Sequence, residues 1–273
     1  MLRQAVLANV SDLHVGSTVA LCPPEGIGLE DGGRYIPSKA QEWVYERWVS
    51  FWEDFWRTSP KWPHVVVMNG EAIDGDHHQT TQIVGSNILM MEEAATKLLR
   101  PIRERCDYFF VTKGTPAHAS PGGRSDERVA RELEAEKDPD TRQSAFYHLS
   151  LMLAGVAFDI AHHVGNDGRP WTRGTAIRSE VAMHMNECAE NRLRPADVLI
   201  RGHVHKVTDT GVNFPTYGIV SPAWQLKTEF VHRISRNRVA SVGGLIFVLE
   251  NGQWSPRPPV KRYNLKLGAT IRR

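Results

Sequence analysis

Short apolar runs that stop abruptly at polar residues recur along this chain. Ala5–Val10 runs into Ser11-Asp12-Leu13-His14, and His64–Met68 runs into Asn69-Gly70-Glu71. Tyr108–Thr112 ends at Lys113-Gly114-Thr115, Val156–Ala161 at His162-His163, and Asp197–Ile200 shortly before Gly202-His203-Val204-His205. Runs of this length, unbroken by charge, read as strands buried on both faces. Phe146–Ala154, Val207–Val212, Tyr217–Val220 and Gly244–Leu249 are further predicted strands. Between them lie helical patterns. The clearest is Trp43–Thr58, where Val44, Trp48, Phe51, Trp52 and Phe55 make one apolar stripe, which predicts core packing rather than a base-stacking platform. Ser86–Arg103, Ser125–Lys137 (stopped by Asp138-Pro139) and Arg178–Arg192 also read as helices, and Cys22–Pro37 as a Gly/Pro-rich loop.

Strands interleaved with helices predict an α/β protein. No repeat, linker or low-complexity tract marks a boundary, so residues 1–273 are expected to form a single domain. Sites in α/β sheets form beyond the carboxyl ends of strands, where loops converge on a rigid frame. Five of the strands end at residues able to bind metal or phosphate, a placement not expected of scattered structural histidines.

Composition narrows the class. Of 273 residues, 41% are hydrophobic and 23% charged, enough for a substantial core, and a net charge of +2 does not point to nucleic acid. Arg233, Arg236, Arg238, Arg257, Lys261, Arg262, Lys266, Arg272 and Arg273 make the end of the chain basic, a feature that most simply reads as solvated surface. Cys22, Cys106 and Cys188 form no CxxC pair, so buried reduced thiols in a cytoplasmic protein are expected. No signal-peptide core and no apolar run of about 18 residues is present, so no membrane partner is expected.

The strand-end residues suggest their own chemistry. Asp12 and His14 are two apart, and in extended geometry both point the same way; His203 and His205 repeat that spacing, with Gly202 allowing close backbone approach. Carboxylate with imidazole suits zinc, iron or manganese better than calcium or magnesium. Glu71 offers a carboxylate to bridge two ions, and bridged ions can clamp the oxygens of a displacement at phosphorus. Of His162 and His163, neighbours leaving a strand, only one is expected to face the site; His162 is favoured, with His163 left to bind substrate or pack elsewhere. His77 and His78 read as surface, and His64, His148, His184 and His232 have no spacing partner.

Taken in order, Asp12-Leu13-His14, Gly70-Glu71, Gly114-Thr115-Pro116-Ala117-His118, His162-His163 and Gly202-His203-Val204-His205 resemble the motif set of the calcineurin-like metallophosphoesterase superfamily, across residues 12 to 205. Asp74 also falls where many members carry an aspartate. The resemblance implies a four-layer α/β/β/α sandwich of two mixed β-sheets flanked by helices. It implies two divalent metal ions (Mn, Fe or Zn, with Mn expected in vitro). Asp12, His14 and His205 would hold one, Glu71 would bridge, and His162 and His203 would hold the other. His118 would protonate the leaving oxygen, and a hydroxide between the ions would attack phosphorus in line, without a covalent phosphoenzyme.

Two positions depart from the family pattern. The bridge is usually aspartate, and Glu71 is one methylene longer. The third motif is usually G-N-H, whose asparagine binds the second metal; here that slot holds Thr115, a poorer ligand, and His118 arrives two residues later. The implied function is phosphoester hydrolysis on an unspecified phosphomonoester or phosphodiester. Residues Asp12 to Ser17 are similar to the opening motif of the superfamily's DNA-processing members, with Gly16 read as leaving room beside the metals, so a DNA or RNA nuclease stands as one alternative. A non-catalytic metal-binding scaffold is the other. Arg124, Arg169, Arg173 and Arg201 are candidates for phosphate contact.

Overall fold

The computed structural model describes residues 2–75, 80–165, 172–211, 214–234 and 239–257. His77, His78, Arg169, Arg236, Arg238 and the basic residues from 261 onward lie outside the described residues.

Thirteen strands are seen among them. In chain order they are β1 (Gln4–Val10), β2 (Ile27–Gly28), β3 (Arg34–Tyr35), β4 (His64–Asn69), β5 (Tyr108–Thr112), β6 (Ala145–Phe146), β7 (Leu149–Leu153), β8 (Val156–Ile160), β9 (Val198–Arg201), β10 (Thr208–Asp209), β11 (Tyr217–Val220), β12 (Leu245–Glu250) and β13 (Gln253–Arg257). The helices are α1 (Lys39–Arg57), α2 (Ile88–Arg103), α3 (Pro116–Ala119), α4 (Arg124–Glu132), α5 (Thr175–Glu190) and α6 (Glu229–Ile234). One sheet runs β13-β12-β1-β4-β5-β6 and a second β10-β11-β9-β8-β7, while β2 and β3 form a separate hairpin. Both large sheets are mixed: β1, β4, β5 and β6 are parallel, as are β8, β9 and β11, with antiparallel strands outside them.

The two-residue period of a strand builds the layers. Val6, Ala8 and Val10 face one way and pack with Val44, Trp48, Phe51 and Phe55 of α1 and with Met91, Leu98 and Leu99 of α2. Ala5 and Leu7 face the other way and meet Phe158, Ile160, Val198 and Ile200 of the second sheet. The outer face of that sheet, through Leu199 and Val220, is covered by Ile177 and Val181 of α5. The result is the α/β/β/α sandwich expected from the resemblance. No helix among the described residues is long and apolar enough to cross a membrane. Cys22, Cys106 and Cys188 are buried and unpaired.

Several boundaries differ for identifiable reasons. The run Phe146–Ala154 is two strands in different sheets, because Tyr147 and His148 are exposed where the chain crosses between them. Helix α1 begins at Lys39 instead of Trp43, started by a capping box in which Ser38 and Gln41 satisfy each other's backbone N–H groups. Helix α4 stops at Glu132, short of Lys137, with Glu134 in the left-handed region at φ 50°. Of Val207–Val212, whose last residue lies outside the described residues, the described part contributes Thr208–Asp209 before Gly211 turns the chain at φ 61°, and the Cys22–Pro37 loop contains the β2–β3 hairpin.

Phe55 is fully buried between α1 and the first sheet. Phe55→Ala is expected to lower the unfolding free energy by about 3–5 kcal/mol in urea denaturation. A loss below about 1 kcal/mol would contradict the close packing described.

Candidate metal centre

Strands β1, β4 and β5 of the first sheet and β8 and β9 of the second end beside one another, and their next residues make the site. Hydrogen bonds lace the strand ends together across the sandwich. The Gly202 N–H donates to the His162 carbonyl at 2.8 Å, and the Asn69 amide to the Ala161 carbonyl at 3.3 Å. The Asp12 N–H donates to Gly70 at 3.1 Å and the His14 N–H to Glu71 at 3.1 Å. A Cβ at Gly202 would overlap the Ser11 hydroxyl and lie 3.0 Å from both Asp12 Oδ2 and His162 Nδ1, so glycine is required for this approach.

Asp12, His14, Glu71, His203 and His205 all have positive φ, between 49° and 72°. The paired residues Asp12/His14 and His203/His205 therefore do not reach the site by extended alternation, as the two-residue spacing suggested. Each sits on a left-handed kink beyond its strand, a conformation that costs about 1–3 kcal/mol per non-glycine residue and is kept where the surroundings enforce it.

Their donor atoms form two clusters that share Glu71. In the first, potential ligand atoms of Asp12, His14, Glu71 and His205 lie within 4.8 Å of one another; in the second, so do those of Glu71, His162 and His203. His14 Nε2 is 3.0 Å from His205 Nε2 and 3.1 Å from Glu71 Oε2, and His205 Nε2 is 3.2 Å from Asp12 Oδ1. His162 Nε2 is 3.2 Å and His203 Nδ1 3.8 Å from the other Glu71 oxygen, Oε1. The carboxylate thus gives one oxygen to each cluster. Glu71 Oε2, His162 Nε2 and His203 Nδ1 are buried without a hydrogen-bond partner. Separations near 3 Å are those of adjacent donors around an ion with bonds of about 2.0–2.2 Å, so both donor sets fit divalent cations.

Partners on the far side of each ring set its orientation, as is usual for metal-binding histidines. His14 Nδ1 lies 2.8 Å from Asp74 Oδ1, which the Gln225 amide also reaches at 3.2 Å. His162 Nδ1 donates to the Asn69 carbonyl at 2.6 Å. Both histidines consequently turn Nε2 inward. Burial pushes His14 down, but the Asp74 and Glu71 carboxylates beside it outweigh this and raise it to about 10. Burial likewise opposes charging of His162, yet the Glu71 and Asp12 carboxylates bring it up to about 9. Burial would raise both carboxylates; the charges of His162 and His205 hold Asp12 low, and the charge of His162 with the adjacent His14 ring holds Glu71 well below its usual range. Burial keeps His205 below its ordinary value. Positive charge is thus demanded between these groups, as protons or as metal.

His162 is buried, whereas His163 is exposed with its ring 5.0 Å from that of His203. His118 stands at the edge of the first cluster, its ring 4.5 Å from that of His14, and its Nδ1 is 2.7 Å from the Asp74 carbonyl. The Thr115 hydroxyl donates to Glu71 Oε1, the oxygen of the second cluster, at 2.5 Å. Gly16 makes no room beside the site: its φ of 105° and a Cβ position 2.5 Å from Met91 Sδ explain it by packing. Arg201 is buried with Asp159 at 2.8 Å and Glu180 at 3.2 Å, which removes it from the phosphate candidates, while Arg124 and Arg173 are exposed. His148 and His184, which lack a spacing partner in sequence, lie 2.6 and 3.6 Å from that same Asp159.

Like Gln225, a further supporting residue escaped the sequence reading. Asp126 on α4 is fully buried and accepts the N–H groups of Glu71 at 3.3 Å, Ala72 at 3.0 Å and Gly114 at 2.7 Å, tying two motif loops together. Nothing in its charged helical surroundings distinguishes it by pattern.

No family model and no curated protein matches this chain. Among solved structures, a hypothetical protein of Pyrococcus horikoshii is similar over 93% of this chain and 86% of that one, with 4% identity and a TM-score of 0.45. Vps29 of Chaetomium thermophilum covers 92% of this chain and 93% of its own, with 9% identity and a TM-score of 0.41. A predicted phosphoesterase of Streptococcus pneumoniae covers 94% and 89%, with 10% identity and a TM-score of 0.38.

The carboxylates that raise His14 to about 10 and His162 to about 9 favour protonated rings at neutral pH in chelator-treated protein. A cation binding there must displace those protons, so affinity is expected to rise with pH up to that range. Calorimetry with Mn²⁺ in buffers of different ionisation enthalpy should read net proton release at about pH 7. Binding without proton release would contradict the assignment of these two rings.

Proposed function

We propose that this chain is a metal-dependent phosphoester hydrolase with a two-metal site. The observation that supports it most is the division of Glu71: one buried carboxylate lends Oε2 to the Asp12/His14/His205 cluster and Oε1 to the His162/His203 cluster. Two adjacent cation sites sharing a carboxylate suit attack on phosphorus, where bound ions supply Lewis acidity and a nucleophile at neutral pH. The motif order, the layer order and the position of the site beyond the strand ends all resemble the calcineurin-like metallophosphoesterases.

The protein's own groups supply the remaining work. Asp12, His14 and His205 would hold one ion, His162 and His203 the other, with Glu71 common to both. Asp74 sets His14 by its carboxylate and His118 by its carbonyl. Held through Nδ1 by Asp74, His118 would deliver a proton to the leaving oxygen. His163, exposed beside His203, would be available to meet substrate.

Mn²⁺-loaded protein tested against a phosphomonoester, a phosphodiester and end-labelled single- and double-stranded oligonucleotides should hydrolyse at least one, and which one defines the substrate class. Failure on all of them with metal bound would favour a scaffold and overturn the proposal. His118→Ala should retain metal and lose about 10²–10⁴-fold in kcat. Asp12→Ala and His205→Ala should lose metal itself, measured by elemental analysis; unchanged metal content in both would overturn the ligand assignment.

A further inference from the structure

Glu71 is a longer acid than a bridge needs, with one more rotatable bond to be held in place. Its neighbour Thr115 answers that need. Thr115 occupies the N-cap position of α3, where a threonine hydroxyl ordinarily accepts an N–H of its own helix, yet no such bond is made. The hydroxyl is turned to Glu71 Oε1 at 2.5 Å, and the Thr115 N–H approaches the same oxygen at 3.2 Å. That oxygen is the one facing His162 and His203; Oε2 faces His14. Asp126 fixes the backbone beneath both partners through the Glu71 and Gly114 N–H groups.

We infer that Thr115 is a positioning residue for the shared carboxylate, and that its hydroxyl sets the affinity of the His162/His203 half for its cation. The inference rests on the two-metal reading above. In place of an amide that would bind the ion directly, this chain holds the acid that binds it. The half with Asp12, His14 and His205 receives Oε2 and has three further donors, so it should not depend on Thr115.

The test is a Co²⁺ titration of metal-free protein, followed by calorimetry and ligand-field absorption, on wild type, Thr115→Val, Thr115→Ala and Thr115→Ser. Wild type should bind two ions. Val and Ala should weaken the second on the order of 10-fold, as loss of an outer partner does, and leave the first unchanged; Ser should restore wild-type affinity. If wild type binds two ions and Val and Ala bind both as tightly, or lose both equally, or if Ser fails as they do, the role of Thr115 is overturned while the two-metal reading stands. If wild type binds fewer than two, the two-metal reading itself fails.

Discussion

Imidazole nitrogens and carboxylate oxygens face one another at 3.0–3.2 Å in the buried space around Glu71. Lone pairs so close and so poorly solvated repel unless positive charge lies among them. Much of the surrounding structure holds them there. Asp74 and the Asn69 carbonyl occupy the outer nitrogens of His14 and His162, leaving the inner ones to converge. Three backbone N–H groups on Asp126 and two donors on Glu71 Oε1 keep the loops from relaxing apart.

The sandwich carries the strain this requires. Five residues of the site sit at positive φ, and several kcal/mol of backbone cost must be offset elsewhere. The offset comes from strands buried on both faces, so that each sheet is clamped between a helical layer and its partner sheet. Trp224 links the two: its ring is fully buried against Trp48 and Phe51 of the core, and its backbone N–H donates to the Asp12 carbonyl at 2.9 Å. Site geometry and core packing are mechanically continuous.

The α/β class and the strand ends that gather at the site were legible from local pattern, while the four-layer order came from the resemblance of the motif set. Apolar runs ending at Asp12, Glu71, Thr115, His162 and His203 mark strands that end at one edge, and the stripe from Val44 to Phe55 marks α1. What was hidden depends on contacts distant in the chain. Asp126 lies 55 residues from Glu71, and the Asp159–Arg201 pair spans 42, so no spacing reveals either. The left-handed kinks were also invisible, because they are imposed where loops distant in the chain meet. Thr115 was visible as a departure from the motif, but only its contact with Glu71 shows what the departure does.

The most direct test of the shared site is anomalous scattering from crystals grown with saturating Mn²⁺. Two peaks are expected, one beside Asp12, His14 and His205 and one beside His162 and His203, each within about 2.3 Å of a different Glu71 oxygen. A single peak at saturation, or ordered side chains with no metal touching Glu71, would contradict the shared site.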